Sequence, residues 1–215
     1  MKLYVSEIFF SLNGEGLLIG VPTIFVRLSG CNLRCRWCDT KYAWNMGTEK
    51  EDKEIIKEVK KADNGFCDWV LITGGEPLIQ EIDGLIKNLR KAGYKIGIET
   101  NGSIYKEVLH TCDFISADIK PPSSGNPTTD YETFKKICAA IEKRGGQVKA
   151  VIADKDDYQF VHEFVKELTL ETPLILQPCW GTLTYADLCR FYFENPLPVK
   201  TIRILTQIHK IGDIK

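Results

Sequence analysis

Three cysteines stand close together in the run Cys31-Asn32-Leu33-Arg34-Cys35-Arg36-Trp37-Cys38. The spacing C-x3-C-x2-C puts three thiolates on one short loop that can wrap a compact metal centre. A structural zinc needs four closed ligands, and no second C-x2-C pair or clean histidine partner follows. Three thiolates on an iron–sulfur cubane would leave one iron open, and an open coordination position is what metal-assisted catalysis requires. Four later segments carry polar groups beside small residues: Gly74-Gly75-Glu76-Pro77, Glu99-Thr100-Asn101-Gly102, Ser116-Ala117-Asp118-Ile119-Lys120 and Gln177-Pro178. Paired glycines let backbone approach a ligand closely, and Glu76 adds a carboxylate acceptor. Taken singly, each segment reads as a turn with a helix cap. Taken in order, they read as successive walls of one cavity.

Such walls need a scaffold. Short apolar, β-branched runs at 23–28, 69–73, 95–99, 114–118, 148–153, 174–177 and 201–205 read as strands. Between them lie helical patterns. Thr48 is expected to cap one whose first turn is acidic (Glu49, Glu51, Asp52) and whose stripe is Ile55, Ile56 and Val59. Asp157 is expected to open another, with Phe160, Val161, Phe164, Val165 and Leu168 on one face. Further helices are expected over 81–91, 104–110, 131–143 and 185–192. Strand alternating with helix implies right-handed crossovers and a parallel sheet, and six or seven units favour an open partial barrel. The Pro/Ser/Gly stretch 121–129 is read as a long loop within this alternation. In a βα barrel, chemistry gathers at the C-terminal ends of the strands, where the polar segments fall.

The chain has 215 residues, of which 44% are hydrophobic and 27% charged. That suits one domain with a core that needs no disulfides. Lys and Arg total 28 against 29 Asp and Glu, a net charge of -1. A polynucleotide partner would therefore need a local patch, and direct nucleic-acid binding is not expected. No apolar run approaches the roughly 18 residues that span a bilayer. The leading run Met1-Lys2-Leu3-Tyr4-Val5-Ser6-Glu7 meets an acid early, so no signal peptide is visible and a cytoplasmic location is expected. Five of the eight cysteines (Cys67, Cys112, Cys138, Cys179, Cys189) are scattered among apolar or helical residues and read as small core hydrophobes.

The cysteine spacing, with an aromatic residue before the third cysteine, resembles the signature of the radical S-adenosylmethionine superfamily. The resemblance implies a 4Fe-4S cluster held by Cys31, Cys35 and Cys38, whose open iron chelates S-adenosylmethionine; reduction then yields a 5′-deoxyadenosyl radical. It assigns contacts with that cofactor to Trp37 beside the adenine, to Cys38 and Asp39, and to Gly75 and Glu76 at the amino group. Glu99, Asn101, Asp118, Ile119, Lys120 and Gln177 complete the implied set.

Further segments narrow the resemblance: Ile8-Phe9-Phe10-Ser11-Leu12-Asn13-Gly14-Glu15-Gly16, Gly20-Val21-Pro22, Phe25-Val26-Arg27-Leu28-Ser29-Gly30, Cys38-Asp39-Thr40 and Gln207-Ile208-His209-Lys210. From about Tyr4 onward the chain is similar to the 7-carboxy-7-deazaguanine synthase family. That family converts 6-carboxy-5,6,7,8-tetrahydropterin to 7-carboxy-7-deazaguanine with loss of ammonia, toward queuosine or archaeosine in tRNA. The implied mechanism abstracts hydrogen at C6 of the pterin, contracts the ring and returns hydrogen to S-adenosylmethionine.

The implied fold is α/β, a partial (β/α) barrel of the radical S-adenosylmethionine type with about six parallel strands. It is expected as one domain over 1–215, with a substrate-binding segment at 4–22 and a cluster loop at 30–40. Implied substrate contacts are Leu12, Asn13, Gly14, Glu15, Arg27, Thr73, Gln207 and His209, with Mg²⁺ between Thr40 and the substrate. The family is homodimeric and takes electrons from a flavodoxin- or ferredoxin-type protein. In some members the end of the chain reaches the site, which would place Lys215 there.

These roles make physical sense. Arg27 offers a planar fork suited to a carboxylate. Leu12-Asn13-Gly14 presents backbone and amide groups to a pterin edge, and Glu15 can accept from a guanidine-like face. Thr40 is an oxygen donor for a hard cation that keeps water or substrate oxygens. Plainer readings stand beside them: Arg27 pairing only with Glu7 or Glu15, Thr40 as a cap, His209 as a solvated histidine. His110 and His162 take no assigned function. The chain departs from the family at Asn13, where Gln is common, and at Asp118-Ile119-Lys120, often Ser-Pro-Lys. Two competing readings remain: an activase that makes a glycyl radical on a partner protein, and a zinc-bound module without catalysis.

Overall fold

The computed structural model describes residues 2–45, 47–127 and 129–215; Met1 of the leading run and Thr128 of the 121–129 loop lie outside them. The first strand, β1 (Lys2–Leu12), lies antiparallel to β2 (Pro22–Leu28), and β3 (Thr48–Glu51) lies antiparallel to β1. From β2 onward the order is β2, β4 (Trp69–Gly74), β5 (Lys95–Thr100), β6 (Phe114–Ile119), β7 (Gly146–Ile152), β8 (Leu174–Pro178) and β9 (Ile202–Ile204), every neighbouring pair parallel. Seven strands thus form the parallel run. Among the described residues β9 does not pair back to β3, so the barrel is open.

Period-two alternation sorts the side chains. Ile24, Val26 and Leu28 of β2, Val70 and Ile72 of β4, and Val148, Ala150 and Ile152 of β7 are fully buried in one apolar core. Five helices pack on that side: α1 (Asp52–Ala62), α2 (Asp83–Lys91), α3 (Tyr131–Arg144), α4 (Lys155–Leu168) and α5 (Tyr185–Glu194). The intervening residues (Phe25 and Arg27, Thr73, Glu99, Asp118, Lys149 and Val151) face the cavity inside the sheet. A short helix, α6 (Ile208–Ile211), lies against the N-terminal loop, where the Ile208 N–H donates to the Gly14 carbonyl at 3.0 Å.

A register shift between Val5 and Glu7 divides β1. Before it, Leu3 and Val5 are buried in the core; after it, Ile8 packs on the core while Phe9 turns to the cavity and stacks on Phe25 at 5.0 Å. One inserted residue in a strand flips the faces, as a bulge must.

Three expected helices differ from the structure. Thr48 does not cap a helix: residues 48–51 pair with the free edge of β1, and Glu51 is the cap, in a reciprocal box with Glu54. An unpaired strand edge is a strong template, and here it overrides the acidic first-turn signal. Residues 104–110 form only a 3-10 turn, Glu107–Thr111, because Asn101 accepts from the Ser103 N–H and the chain stays irregular up to Lys106. The helix expected to open at Asp157 begins at Lys155 with Asp154 as its cap, leaving the Asp157 carboxylate to face inward. No helix among the described residues is long and apolar enough to cross a membrane.

Candidate active site

The strand ends surround a cavity of about 530 Å³, within the span of roughly 300–1,000 Å³ usual for small-molecule sites. Cys31, Cys35 and Cys38 all border it, on the irregular loop that follows β2. Gly30 turns that loop at φ +87°, and its carbonyl accepts from the Glu76 N–H at 2.8 Å. Burial pushes the Cys31 and Cys35 thiols up, so they are poor nucleophiles until a metal ionises them. All eight cysteines are free. Among the described residues no three His, Cys, Asp or Glu side chains converge as ligands for a single ion.

The loop also fits what the cluster would hold. At Gly75 a Cβ atom would run into the Gly30 carbonyl and the Cys31 side chain, so only glycine lets the β4 loop close on the cysteines. Trp37 borders the cavity with its indole N–H donating to Ser123 Oγ at 3.0 Å. Ser123 is in turn held by Asp157, which accepts from its backbone N–H at 2.9 Å and its hydroxyl at 2.5 Å. Asn101 borders the cavity as well and donates to Asn32 at 2.9 Å.

Three residues assigned to the cofactor by resemblance stand elsewhere. Ile119 shares the helix-side face with Ile115 and Ala117, 1% exposed, so strand alternation removes its side chain from the cavity. Gln177 pairs beside Val151 on the inner face but does not border the cavity. Both of its amide atoms are buried without a partner among the described residues, which leaves them able to receive a ligand. Glu76 is fully buried behind the wall and acts as a strut. One carboxylate oxygen accepts from the Leu78 N–H at 3.0 Å and the Thr100 hydroxyl at 2.9 Å, the other from the Asn101 N–H at 2.7 Å.

Burial pushes the Glu76 carboxyl up to about 7 from an ordinary 4.5. The folded chain then holds this proton more tightly than the unfolded one. The group's contribution to stability is fully present below pH 4.5 and is lost as pH rises through 7. Glu76→Gln removes that slope. Stability of the variant relative to the parent is expected to climb by up to about 3 kcal/mol between pH 5 and 8, read as the difference in unfolding free energy. A flat difference would mean that Glu76 is ionised throughout.

Along the inner wall of the cavity lies a cluster of buried charge, in which Lys149 joins the expected Glu15, Glu99, Asp118 and Lys120 and is the one member the sequence reading did not include. Lys149 on β7 pairs with Glu15 and lies 3.5 Å from Asp118; Lys120 bonds the other Asp118 oxygen at 2.6 Å. Glu99 accepts from the Thr73 hydroxyl at 2.8 Å. Burial alone would raise Asp118, but the two lysines hold its carboxyl below the ordinary range. Burial raises Glu99, only partly offset by Lys149. Lys149 stays protonated despite burial because Asp118, Glu15 and Glu99 surround it. Removing that one cation leaves three acids facing Lys120. Lys149→Met is expected to cost about 3 kcal/mol in chemical denaturation; a loss under about 1 kcal/mol would show the network to be dispensable.

The remaining walls come from residues within 9–15 and 207–215, with Arg27 of β2 and Asp39 and Thr40 after it. Leu12, Asn13, Gly14, Glu15, Arg27, Asp39, Thr40, Gln207 and His209 all border the cavity. The Asn13 side chain accepts from the Glu15 N–H at 3.1 Å, so this shorter residue shapes the turn. Glu15 is clamped between Lys149 and Gln207, whose amide donates at 2.5 Å. A Cβ on Gly14 would overlap the His209 imidazole. Asp39 pairs with Lys210 at 3.1 Å and holds His209 at 4.0 Å. The Thr40 hydroxyl lies 3.6 Å from the Cys38 sulfur. Arg27 does pair with Glu7, through Nε at 2.9 Å, yet no acceptor among the described residues takes its terminal nitrogens. Lys215 also borders the cavity and pairs with Glu7 at 2.5 Å. Tyr42, Trp180 and Lys210 line the cavity as well.

Comparison with known proteins gives consistent results. The family model described as the radical SAM superfamily matches residues 25–152. The 7-carboxy-7-deazaguanine synthase of Thermoplasma acidophilum is 37% identical over 218 residues, covering 99% of each chain. That of Methanospirillum hungatei is 35% identical over 209 residues, covering 96% of this chain and 83% of the relative. Among solved structures, QueE from Escherichia coli superimposes with a TM-score of 0.72 at 23% identity, covering 96% of this chain and 95% of that one, which shows a shared fold.

Proposed function

The chain belongs to the 7-carboxy-7-deazaguanine synthase family of the radical S-adenosylmethionine superfamily, and on that premise we propose that it converts 6-carboxy-5,6,7,8-tetrahydropterin to 7-carboxy-7-deazaguanine and ammonia. The observation that carries this reading is the Arg27 fork, its terminal nitrogens open, in one cavity with the three cluster cysteines and the Asn13–Glu15 turn. When bound, the 4Fe-4S cluster and S-adenosylmethionine supply one-electron chemistry able to abstract a hydrogen atom from the pterin. Substrate and products are at the same net oxidation level, so the hydrogen removed at the start returns at the end and no net oxidant is needed.

The residues divide the remaining work. Arg27, oriented by Glu7, receives the substrate carboxylate. Glu15, aimed by Lys149 and Gln207, accepts from the guanidine-like edge of the pterin. Leu12, Asn13 and Gly14 offer backbone groups to that edge, and Thr73 and His209 close the cavity on either side. Trp37, Asp39, Gly75, Glu99, Asn101, Asp118 and Lys120 line the cofactor's side. Thr40 would hold Mg²⁺ together with the substrate carboxylate, few protein ligands being usual for this ion. In the same reading residues 1–215 act as one domain in a cytoplasmic homodimer, served by a flavodoxin- or ferredoxin-type donor.

The test is anaerobic incubation of reconstituted protein with reductant, S-adenosylmethionine, Mg²⁺ and 6-carboxytetrahydropterin. Release of 7-carboxy-7-deazaguanine over many turnovers, followed by mass, is the expected result. Formation of 5′-deoxyadenosine without that product would overturn the substrate and point to the activase reading. An iron-free, colourless protein would favour the zinc module.

A further inference from the structure

We propose that Asn126 raises the reduction potential of the cluster by donating a hydrogen bond to the Cys35 sulfur, and so sets how weak an electron donor the enzyme can use. The proposal rests on the cluster reading and adds a residue to it. Asn126 Nδ2 lies 3.2 Å from Cys35 Sγ. Its amide orientation is fixed, because Oδ1 accepts from the Arg34 N–H at 2.9 Å and a backbone N–H can only donate. The nitrogen must therefore face the sulfur.

The loop carrying Asn126 is itself pinned. The Arg36 N–H donates to the Ser124 carbonyl at 3.0 Å, and the Asn126 N–H to Ser124 Oγ at 3.3 Å. The other two sulfurs are served less closely. Cys31 receives the Leu33 N–H at 3.4 Å and Asn101 Nδ2 only at 3.9 Å; Cys38 has the Thr40 hydroxyl at 3.6 Å. Among the described residues Asn126 is thus the nearest side-chain nitrogen donor to a cluster thiolate.

Reduction adds negative charge that spreads onto the ligating sulfurs. A fixed N–H dipole aimed at one of them stabilises the reduced form more than the oxidised form and raises the potential. Asn126 acts through Cys35, so it is a positioning residue whose signature is a potential. Asn126→Asp keeps the acceptor for the Arg34 N–H and replaces the donor with a negative oxygen.

The experiment measures iron content and the midpoint potential of the reconstituted parent and Asn126→Asp. The variant is expected to be harder to reduce by at least tenfold in the equilibrium constant, a fall of about 59 mV for one electron. Its turnover should drop with a weak reductant and recover with a strong one. An unchanged midpoint at full iron loading overturns the proposal, whereas a parent that assembles no cluster overturns the cluster reading instead. Should the variant fail to hold iron, enzyme labelled with ¹⁵N at the asparagine side-chain amide decides. A ¹⁵N coupling to the reduced cluster in pulsed electron paramagnetic resonance, surviving in Asn101→Ser, supports the bond; its absence overturns it.

Discussion

Cys35→Ala is expected to abolish iron loading and product formation together, lowering turnover by more than about 10⁴-fold, over 5 kcal/mol of barrier. The fold should survive. Cys35 lies in an irregular loop, and the bonds that shape that loop use backbone atoms: Cys38 N–H to the Cys35 carbonyl at 3.2 Å and Arg36 N–H to the Ser124 carbonyl at 3.0 Å. Loss of one small buried side chain costs roughly 1–2 kcal/mol in unfolding. Iron analysis and product mass read the first effect, and circular dichroism the second. Cys67→Ala is the matched control, since Cys67 is buried in the core away from the cavity and should leave iron loading untouched. Retained turnover in Cys35→Ala would mean that the loop does not hold the cluster.

Arg27→Ala is expected to cut product formation by about 10³-fold, about 4 kcal/mol, while uncoupled 5′-deoxyadenosine formation falls by less than about tenfold. The separation follows from the arrangement around Glu7. That carboxylate keeps Tyr42 at 2.7 Å and Lys215 at 2.5 Å when Arg27 is gone, so the change leaves no isolated buried charge behind. What is lost is the fork that faces the cavity. Arg27→Lys should restore little, because an ammonium is a point charge without the planar pair of donors. Equal loss of both products would remove Arg27 from substrate binding.

The parallel sheet was legible because its alternating rows must satisfy a helix layer on one side and a cavity on the other. Ile24, Val26 and Leu28 declare β2 without help from the rest of the chain. The strands β1 and β3 were not, since their pairing depends on each other and on the bulge near Val5. The cysteine run stood out by its spacing, and its reading as a cluster loop came from the family resemblance. Lys149 was missed, although a lysine inside the apolar run Val148-Lys149-Ala150-Val151-Ile152 of a strand covered on both faces was itself a signal. Glu76 took a different role from the one expected because its three donors come from Leu78, Thr100 and Asn101, a grouping created only when the loops after β4 and β5 meet.

The clamp on Glu15 has a consequence for how the molecule is made. Glu15 meets Gln207 across 192 positions and Lys149 across 134. The strand pairs from β4 to β9, by contrast, join neighbours in sequence order. Contacts between distant parts of a chain form late, because the loop they close is long. A chain emerging from the ribosome therefore presents its Asn13–Glu15 turn first and receives the partner that aims it last. The barrel can be assembled, and its thiols gathered, while the substrate pocket still lacks a wall, so competence to hold the cluster arises before competence to choose what the radical attacks.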